Sequence, residues 1–128
     1  MKKLTMALAG AIFALSAGVA SAAPMVQYVM TAAGNVMADT KGMVLYTYDR
    51  DMPAVSTCTG GCLTNWPLFK AAATDTAGGD WTIVTRADNE KVWAYKGKPL
   101  YYYVMDTAPR ESKGDQPTGV WHAIRQGQ

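Results

Sequence analysis

The chain contains 128 residues, which suits a single domain with one modest core. Its 12 Lys and Arg nearly balance its 10 Asp and Glu, and no basic run interrupts the sequence. This composition lacks the positive surface that nucleic acid or anionic lipid requires, so the sequence excludes partners of those two classes.

The first 22 residues have the pattern of a cleaved export signal. Lys2 and Lys3 precede an apolar stretch at residues 4–19, and Ala20-Ser21-Ala22 fits a cleavage site of small residues. The apolar stretch is shorter than the roughly 20 residues that span a bilayer. We therefore expect a soluble mature protein, residues 23–128, in the periplasm or secreted beyond it. Removal of the two lysines leaves ten basic and ten acidic residues.

Strand patterns dominate the remainder of the chain. Short segments rich in β-branched and aromatic residues alternate with turn sequences, and the turn at Lys96-Gly97 predicts a tight hairpin. No segment sustains a helical period, and residues 74–80 form a polar linker. The predicted strands are Tyr28–Thr31, Met43–Tyr48, Trp81–Arg86, Val92–Tyr95, Leu100–Val104 and Val120–Ile124.

The sequence repeats itself at an offset of 55 residues. A fixed period of this kind indicates two copies of one supersecondary unit. We interpret the copies as spanning about residues 26–69 and 81–125. The matched residues are Val29 with Val84, Lys41-Gly42 with Lys96-Gly97, Leu45-Tyr46 with Leu100-Tyr101, Tyr48 with Tyr103, Asp51 with Asp106 and Trp66 with Trp121.

The predicted fold is therefore all-β, with two pseudo-symmetric repeats in one domain at residues 23–128. Each repeat reads as a strand, a short turn, a second strand, a hairpin, a Tyr-rich strand, a long loop and a Trp-marked strand. That order gives four antiparallel strands per repeat. Two such units either pack face to face as a small sandwich or close into one barrel, and the sequence favours neither.

A long loop occupies the same place in each repeat, at residues 49–65 and 105–119. Loops of this length are often functional. The first loop contains the only cysteines of the chain, Cys58 and Cys62, with two glycines between them. An oxidising compartment and a backbone that bends freely favour a disulfide between the two cysteines.

A copper site is the alternative interpretation of the cysteine pair. Two thiolates, completed by His122, Met52 or Met105, would form a soft-ligand site suited to copper. Thiol–disulfide exchange is less favoured, because redox catalysts place Cys-x-x-Cys before a helix and no helix is predicted here.

The strongest local pattern is Leu-Tyr-x-Tyr-x-x-Asp, at residues 45–51 and 100–106. One interpretation is a ligand site in a crevice between the two long loops. Tyr48 and Tyr103 would form an aromatic platform there, with Asp51 and Asp106 at its polar ends. The other is structural, with tyrosines packed between sheets and aspartates accepting backbone N–H groups at the strand ends.

This motif pair occurs with further sequences that extend the pattern, and together they resemble a bacterial family of exported proteins. The family is described as predicted lipoproteins with a Tyr-x-aromatic-x-x-Asp motif, or as a secreted repeat of unknown function. The resemblance implies a repeated β-rich domain at the cell envelope and no established activity. Because no cysteine follows the apolar stretch, we expect no lipid anchor. The further sequences are Ser56–Cys62, Asn65-Trp66-Pro67-Leu68, Gly97–Tyr102 and Gly119–His122.

No catalytic constellation is evident in the sequence. His122 is the only histidine, and Ser56 and Ser112 lie outside any nucleophile motif such as Gly-x-Ser-x-Gly. We therefore expect a non-enzymatic binding or scaffolding module whose partner is a small molecule or an envelope protein. The alternative is a periplasmic copper-binding or electron-transfer accessory protein that uses Cys58 and Cys62. The sequence leaves the oligomeric state open.

Overall fold

The computed structural model describes residues 23–128; the predicted export signal at residues 1–22 lies outside the described residues. Strands dominate, and the one short helix among these residues lies in the first long loop. In chain order the elements are β1 (Val26–Thr31), β2 (Gly34–Asp39), β3 (Tyr46–Tyr48), α1 (Gly61–Asn65), β4 (Trp81–Thr85), β5 (Lys91–Tyr95), β6 (Lys98–Pro99) and β7 (Trp121–Ala123).

The strands form three small open sheets, in the orders β1-β2, β3-β7 and β4-β5-β6. The neighbouring strands in these sheets are all antiparallel. The prediction of an all-β domain is therefore confirmed. The sheets differ from the predicted four-stranded units, and none of them closes into a barrel. The predicted four-stranded units do not form because the last strand of each repeat pairs with the other repeat.

This exchange of strands is centred on Tyr46 and Tyr101. β3 of the first repeat pairs with β7 of the second, with Tyr46 opposite Ala123. The equivalent bridge in the other direction joins Tyr101 to Leu68. Tyr46 and Tyr101 also donate backbone hydrogen bonds to each other, at 2.8 and 2.9 Å. Because these two tyrosines are equivalent residues of the repeats, a pseudo-twofold axis passes between them.

The second strand of each repeat follows the same symmetry with a shift of one residue. The backbone N–H of Leu45 donates to Met37, and that of Leu100 donates to Trp93, both at 3.0 Å. Met37 and Trp93 are thus equivalent residues of the two repeats, at an offset of 56 rather than 55. By the same offset, Asp39 is the equivalent of Tyr95. The extra residue lies in the β4–β5 turn.

The turns and loops also cross between the repeats. Lys96 and Gly97 both have positive φ, 52° and 83°, as the predicted tight hairpin turn between β5 and β6 requires. The backbone N–H of Ala54, in the first long loop, donates to Gly97 at 2.9 Å. Arg110, in the second long loop, donates to Gly42 at the same distance. Each long loop is therefore held against the Lys-Gly turn of the other repeat.

Four aromatic rings form a continuous stack across the pseudo-twofold axis. Trp66 and Trp121 lie parallel at its centre, with ring centroids 3.8 Å apart. Tyr48 stacks on Trp121 at 4.3 Å, and Tyr103 stacks on Trp66 at 4.2 Å. Aromatic pairs contribute about 0.5–1.5 kcal/mol each beyond the area they bury. The four-ring stack thus joins the two repeats in the largest cluster of the core.

Candidate functional site

The two motif aspartates accept hydrogen bonds from tyrosines of the opposite repeat. The Tyr101 hydroxyl donates to Asp51 at 2.7 Å, and the Tyr46 hydroxyl donates to Asp106 at 2.5 Å. Each aspartate also accepts a backbone N–H from its own long loop, from Thr57 at 2.7 Å and from Lys113 at 2.9 Å. We call this symmetric pair of contacts the Tyr–Asp clamp.

Burial sets the protonation states in the Tyr–Asp clamp. Desolvation raises the pKa of Tyr46 well above its usual value, and the bond to Asp106 raises it further. Burial likewise raises the pKa of Tyr101. Burial also raises the pKa of Asp106, although the hydrogen bond from Tyr46 opposes that shift. Both hydroxyls therefore remain protonated donors at neutral pH, and each joins a loop of one repeat to a strand of the other.

A buried arginine extends the clamp on one side only. The Tyr101 hydroxyl lies 2.6 Å from the hydroxyl of Ser56, to which Arg86 donates at 2.5 Å. Arg86 is 5% exposed and forms an ion pair with Asp88 at 3.1 Å. Hydrogen bonding from Arg86 lowers the pKa of Asp88. Arg86 was not predicted as a functional residue, because a single arginine at a strand end carries no pattern.

Tyr48 and Tyr103 lie at opposite ends of the four-ring stack. Each is half-buried, and the two tryptophans of the stack separate their rings. The structure therefore does not bring the two tyrosines together as one platform.

The cysteines and the other candidate copper ligands lie apart. Cys58 and Cys62 are at disulfide distance, with Sγ atoms 1.96 Å apart, as their sequence context predicts. A disulfide offers no thiolate to a copper ion. Met52 and Met105 are exposed on the two loops, while His122 contacts Asp49. Within residues 23–128, no group of three His, Cys, Asp or Glu side chains could hold a metal ion.

One turn of helix begins at Gly61, one residue before the second cysteine, contrary to the prediction of no helix. α1 spans Gly61–Asn65 and starts after Gly60, which has a φ of 57°. A segment of five residues is too short to show a helical period in the sequence.

A cleft of about 290 Å³ opens beside β3 and β7, and we call it the Thr47 cleft. A neighbouring cleft of about 170 Å³ shares four of its lining residues and extends to Tyr48 and Met52. The first long loop lines this neighbouring cleft, and the second long loop does not contribute to either one. The Thr47 cleft is lined by Thr47, Asp49, Tyr95, Lys96, Lys98, His122, Ala123, Ile124, Arg125 and Gln128.

The charged side chains of the Thr47 cleft differ in how they are paired. His122 Nε2 lies 2.7 Å from an Asp49 oxygen, and Arg125 forms an ion pair with Asp115 at 2.9 Å. The Lys96 ammonium donates to the backbone oxygen of Gln128 at 2.9 Å. The Lys98 ammonium has no hydrogen-bond or ion-pair partner among residues 23–128.

At the equivalent place in the other repeat, a tyrosine side chain occupies the space. Tyr102 is the counterpart of Thr47, and its hydroxyl donates to Asp39 at 2.8 Å. Its ring packs edge-on against Phe69, with centroids 5.8 Å apart. Asp39 and Phe69 are the counterparts of Tyr95 and Ile124, which line the Thr47 cleft. The cleft is therefore open because a short threonine replaces a tyrosine.

The sequence contains a signal for this cleft that was not among the predicted site residues. Tyr46-Thr47-Tyr48 and Tyr101-Tyr102-Tyr103 match at their outer residues and differ at the centre. The serines available as nucleophiles lie elsewhere: Ser56 contacts Tyr101 and Arg86, and Ser112 accepts a backbone N–H from Ala33 at 3.2 Å.

Comparison with known proteins gives one family. A family model described as a secreted repeat of unknown function matches the chain twice, at residues 27–70 and 82–125. The two matches establish the two repeats. No curated protein sequence and no solved structure matches the chain. Within residues 23–128, no helix is long and apolar enough to cross a membrane.

Proposed function

Because the chain belongs to this family of secreted repeats of unknown function, we propose that it is an exported, non-enzymatic module that binds a small molecule in the Thr47 cleft. The observation that carries the proposal is the difference between the repeats. The same position is filled by Tyr102 in one repeat and left open at Thr47 in the other. A duplicated framework needs equivalent residues, so a cleft that is open at only one of the two equivalent positions indicates a use beyond the framework.

The polar groups of the cleft support binding rather than catalysis. His122 and Asp49 form a pair, but neither has a serine or cysteine side chain at hydrogen-bond distance among the described residues. A nucleophile would need such contact with its base. By contrast, a concave site with a few convergent polar groups around apolar side chains is typical of ligand binding. Ile124 and Tyr95 supply the apolar part here.

A test fills the cleft with the residues of the other repeat. Thr47→Tyr combined with Tyr95→Asp reproduces the Tyr102–Asp39 contact in the first repeat, so the variant should fold and the cleft should close. Thr82→Tyr, on an exposed strand position, is the matched control for added aromatic surface. Residues 23–128 labelled with ¹⁵N would be screened against a library of small fragments by amide chemical shift.

We expect fragments to shift amides around Thr47 and His122 in the wild type and in Thr82→Tyr, but not in the filled variant. Fragments that bind elsewhere, or that bind the filled variant equally well, would refute the cleft as the site.

A further inference from the structure

We infer that the ligand of the Thr47 cleft is a small organic anion that carries carboxylate or phosphate groups. This inference rests on the proposed function and adds the ligand class. Three of the side chains that line the cleft are cationic, those of Lys96, Lys98 and Arg125, and one lining side chain is a carboxylate, that of Asp49. Residues 23–128 as a whole carry ten basic and ten acidic side chains, so this concentration of positive charge is local.

One of these cations, Lys98, has no hydrogen-bond or ion-pair partner among the described residues. Asp115 forms an ion pair with Arg125, and Asp49 lies at hydrogen-bond distance from His122. Lys96 donates to the backbone oxygen of Gln128 and lies over the ring of Tyr95, whereas Lys98 has no partner among the described residues. Both lysines belong to the β5–β6 hairpin, whose turn geometry fixes their backbone. An anion in the cleft would give the Lys98 ammonium the partner that it lacks.

The residues around Thr47 and those around Tyr102 also differ in charge. Lys98 is the counterpart of Met43, and His122 is the counterpart of Pro67. At the filled position of the other repeat, Asp39 binds the Tyr102 hydroxyl, whereas its counterpart Tyr95 adds no negative charge to the cleft. At the Thr47 position the tyrosine is thus absent, and the second repeat contributes Lys98 and His122 to the same place. Size and charge change together, as a site for an anionic guest requires.

The experiment titrates residues 23–128 with named probes by calorimetry and amide chemical shift. Citrate and glucuronate represent carboxylates, inorganic phosphate represents phosphates, and glucose is the neutral comparison. Lys98→Met installs the residue of the other repeat. Lys41→Met is the matched control, because Lys41 is exposed and is the counterpart of Lys96 outside the cleft.

We expect at least one anion to bind at the cleft and glucose not to bind. Lys98→Met should weaken that binding about fivefold, the upper end for one partly exposed charge contact, and Lys41→Met should leave it unchanged. Raising the salt to 1 M, where the Debye length is about 3 Å, should also weaken it.

Three results would overturn the inference: glucose binding as tightly as the anions, Lys98→Met without effect, or equal losses in both lysine variants. If neutral fragments still bind the cleft and disappear in the filled variant, only the ligand class is wrong. If the filled variant keeps its anion binding, the proposed site is wrong as well.

Discussion

Replacing Asp106 with alanine measures how much the Tyr–Asp clamp stabilises the fold. Asp106 is 5% exposed and accepts hydrogen bonds from Tyr46 and from the backbone of Lys113. The substitution leaves the hydroxyl of the fully buried Tyr46 without its acceptor. A hydrogen bond to a charged group contributes about 1.5–3 kcal/mol, and an unsatisfied buried group costs about 1–3 kcal/mol. We expect Asp106→Ala to lower the free energy of unfolding by about 3 kcal/mol.

The equivalent substitution in the first repeat should cost less. Asp51 is only half-buried. The Tyr101 hydroxyl, which donates to Asp51, also has Ser56 as a second partner at 2.6 Å. We therefore expect Asp51→Ala to cost about 1.5 kcal/mol. Asp80→Ala, at an exposed carboxylate, should change stability by less than about 0.5 kcal/mol and serves as the control.

Urea unfolding of residues 23–128 at pH 7 gives these free energies, provided that the slope with denaturant stays constant. A loss of 3 kcal/mol corresponds to a fall in melting temperature of about 12–24 °C for a domain of this size. In a double-mutant cycle, Tyr46→Phe with Asp106→Ala should cost less than the sum of the two single changes. If Asp106→Ala is no more destabilising than Asp80→Ala, the clamp does not hold the fold. If it abolishes ligand binding at unchanged stability, the motif aspartates belong to a ligand site instead.

Two further predictions concern alkaline pH and the disulfide. Burial raises the pKa of Tyr46, Tyr101 and Tyr102 above the ordinary 10.0, so the folded protein keeps protons that the unfolded chain releases. The free energy of unfolding should therefore fall as pH rises above 10, by up to about 1.4 kcal/mol per pH unit for each tyrosine. In urea unfolding at a series of pH values, Tyr102→Phe should reduce this dependence on pH. A free energy of unfolding that is constant across this range would contradict the raised tyrosine pKa values. Replacing both Cys58 and Cys62 by serine should lower the free energy of unfolding in urea by about 2 kcal/mol, because the loop that the disulfide closes is short. A variant that no longer folds would show that the disulfide does more than restrain this loop.

Local signals explain what the sequence predicted correctly. The all-β class follows from short β-branched and aromatic segments, and the hairpin at Lys96-Gly97 follows from turn chemistry. The disulfide follows from the spacing and setting of Cys58 and Cys62. The exchange of strands was not predictable, because a repeat shows which residues are equivalent and not which copy they pair with. Pairing within a repeat and pairing between repeats bury the same faces of the same strands.

The candidate site shows a related limit. The predicted site residues are duplicated ones, and the structure places two of them, Asp51 and Asp106, in contacts that join the repeats. A ligand role for those two residues stays a prediction. The Thr47 cleft depends instead on a residue that differs between the copies. The difference between Thr47 and Tyr102 indicates a cleft only in the context of the strand pairing, because the pairing places the Tyr102 side chain in the equivalent space.

Because of the exchange of strands, the two repeats of this one chain pack as the two subunits of a symmetric dimer would. Tyr46 finds its partner Ala123 in the last strand of the sequence, so the first repeat cannot complete its sheet until the whole chain is present. Contacts between residues so far apart are slow to form, because the loop between them must close first. A single repeat made alone has no copy of the missing strand. It can satisfy its hydrogen bonds only by associating with a second molecule across a true twofold axis.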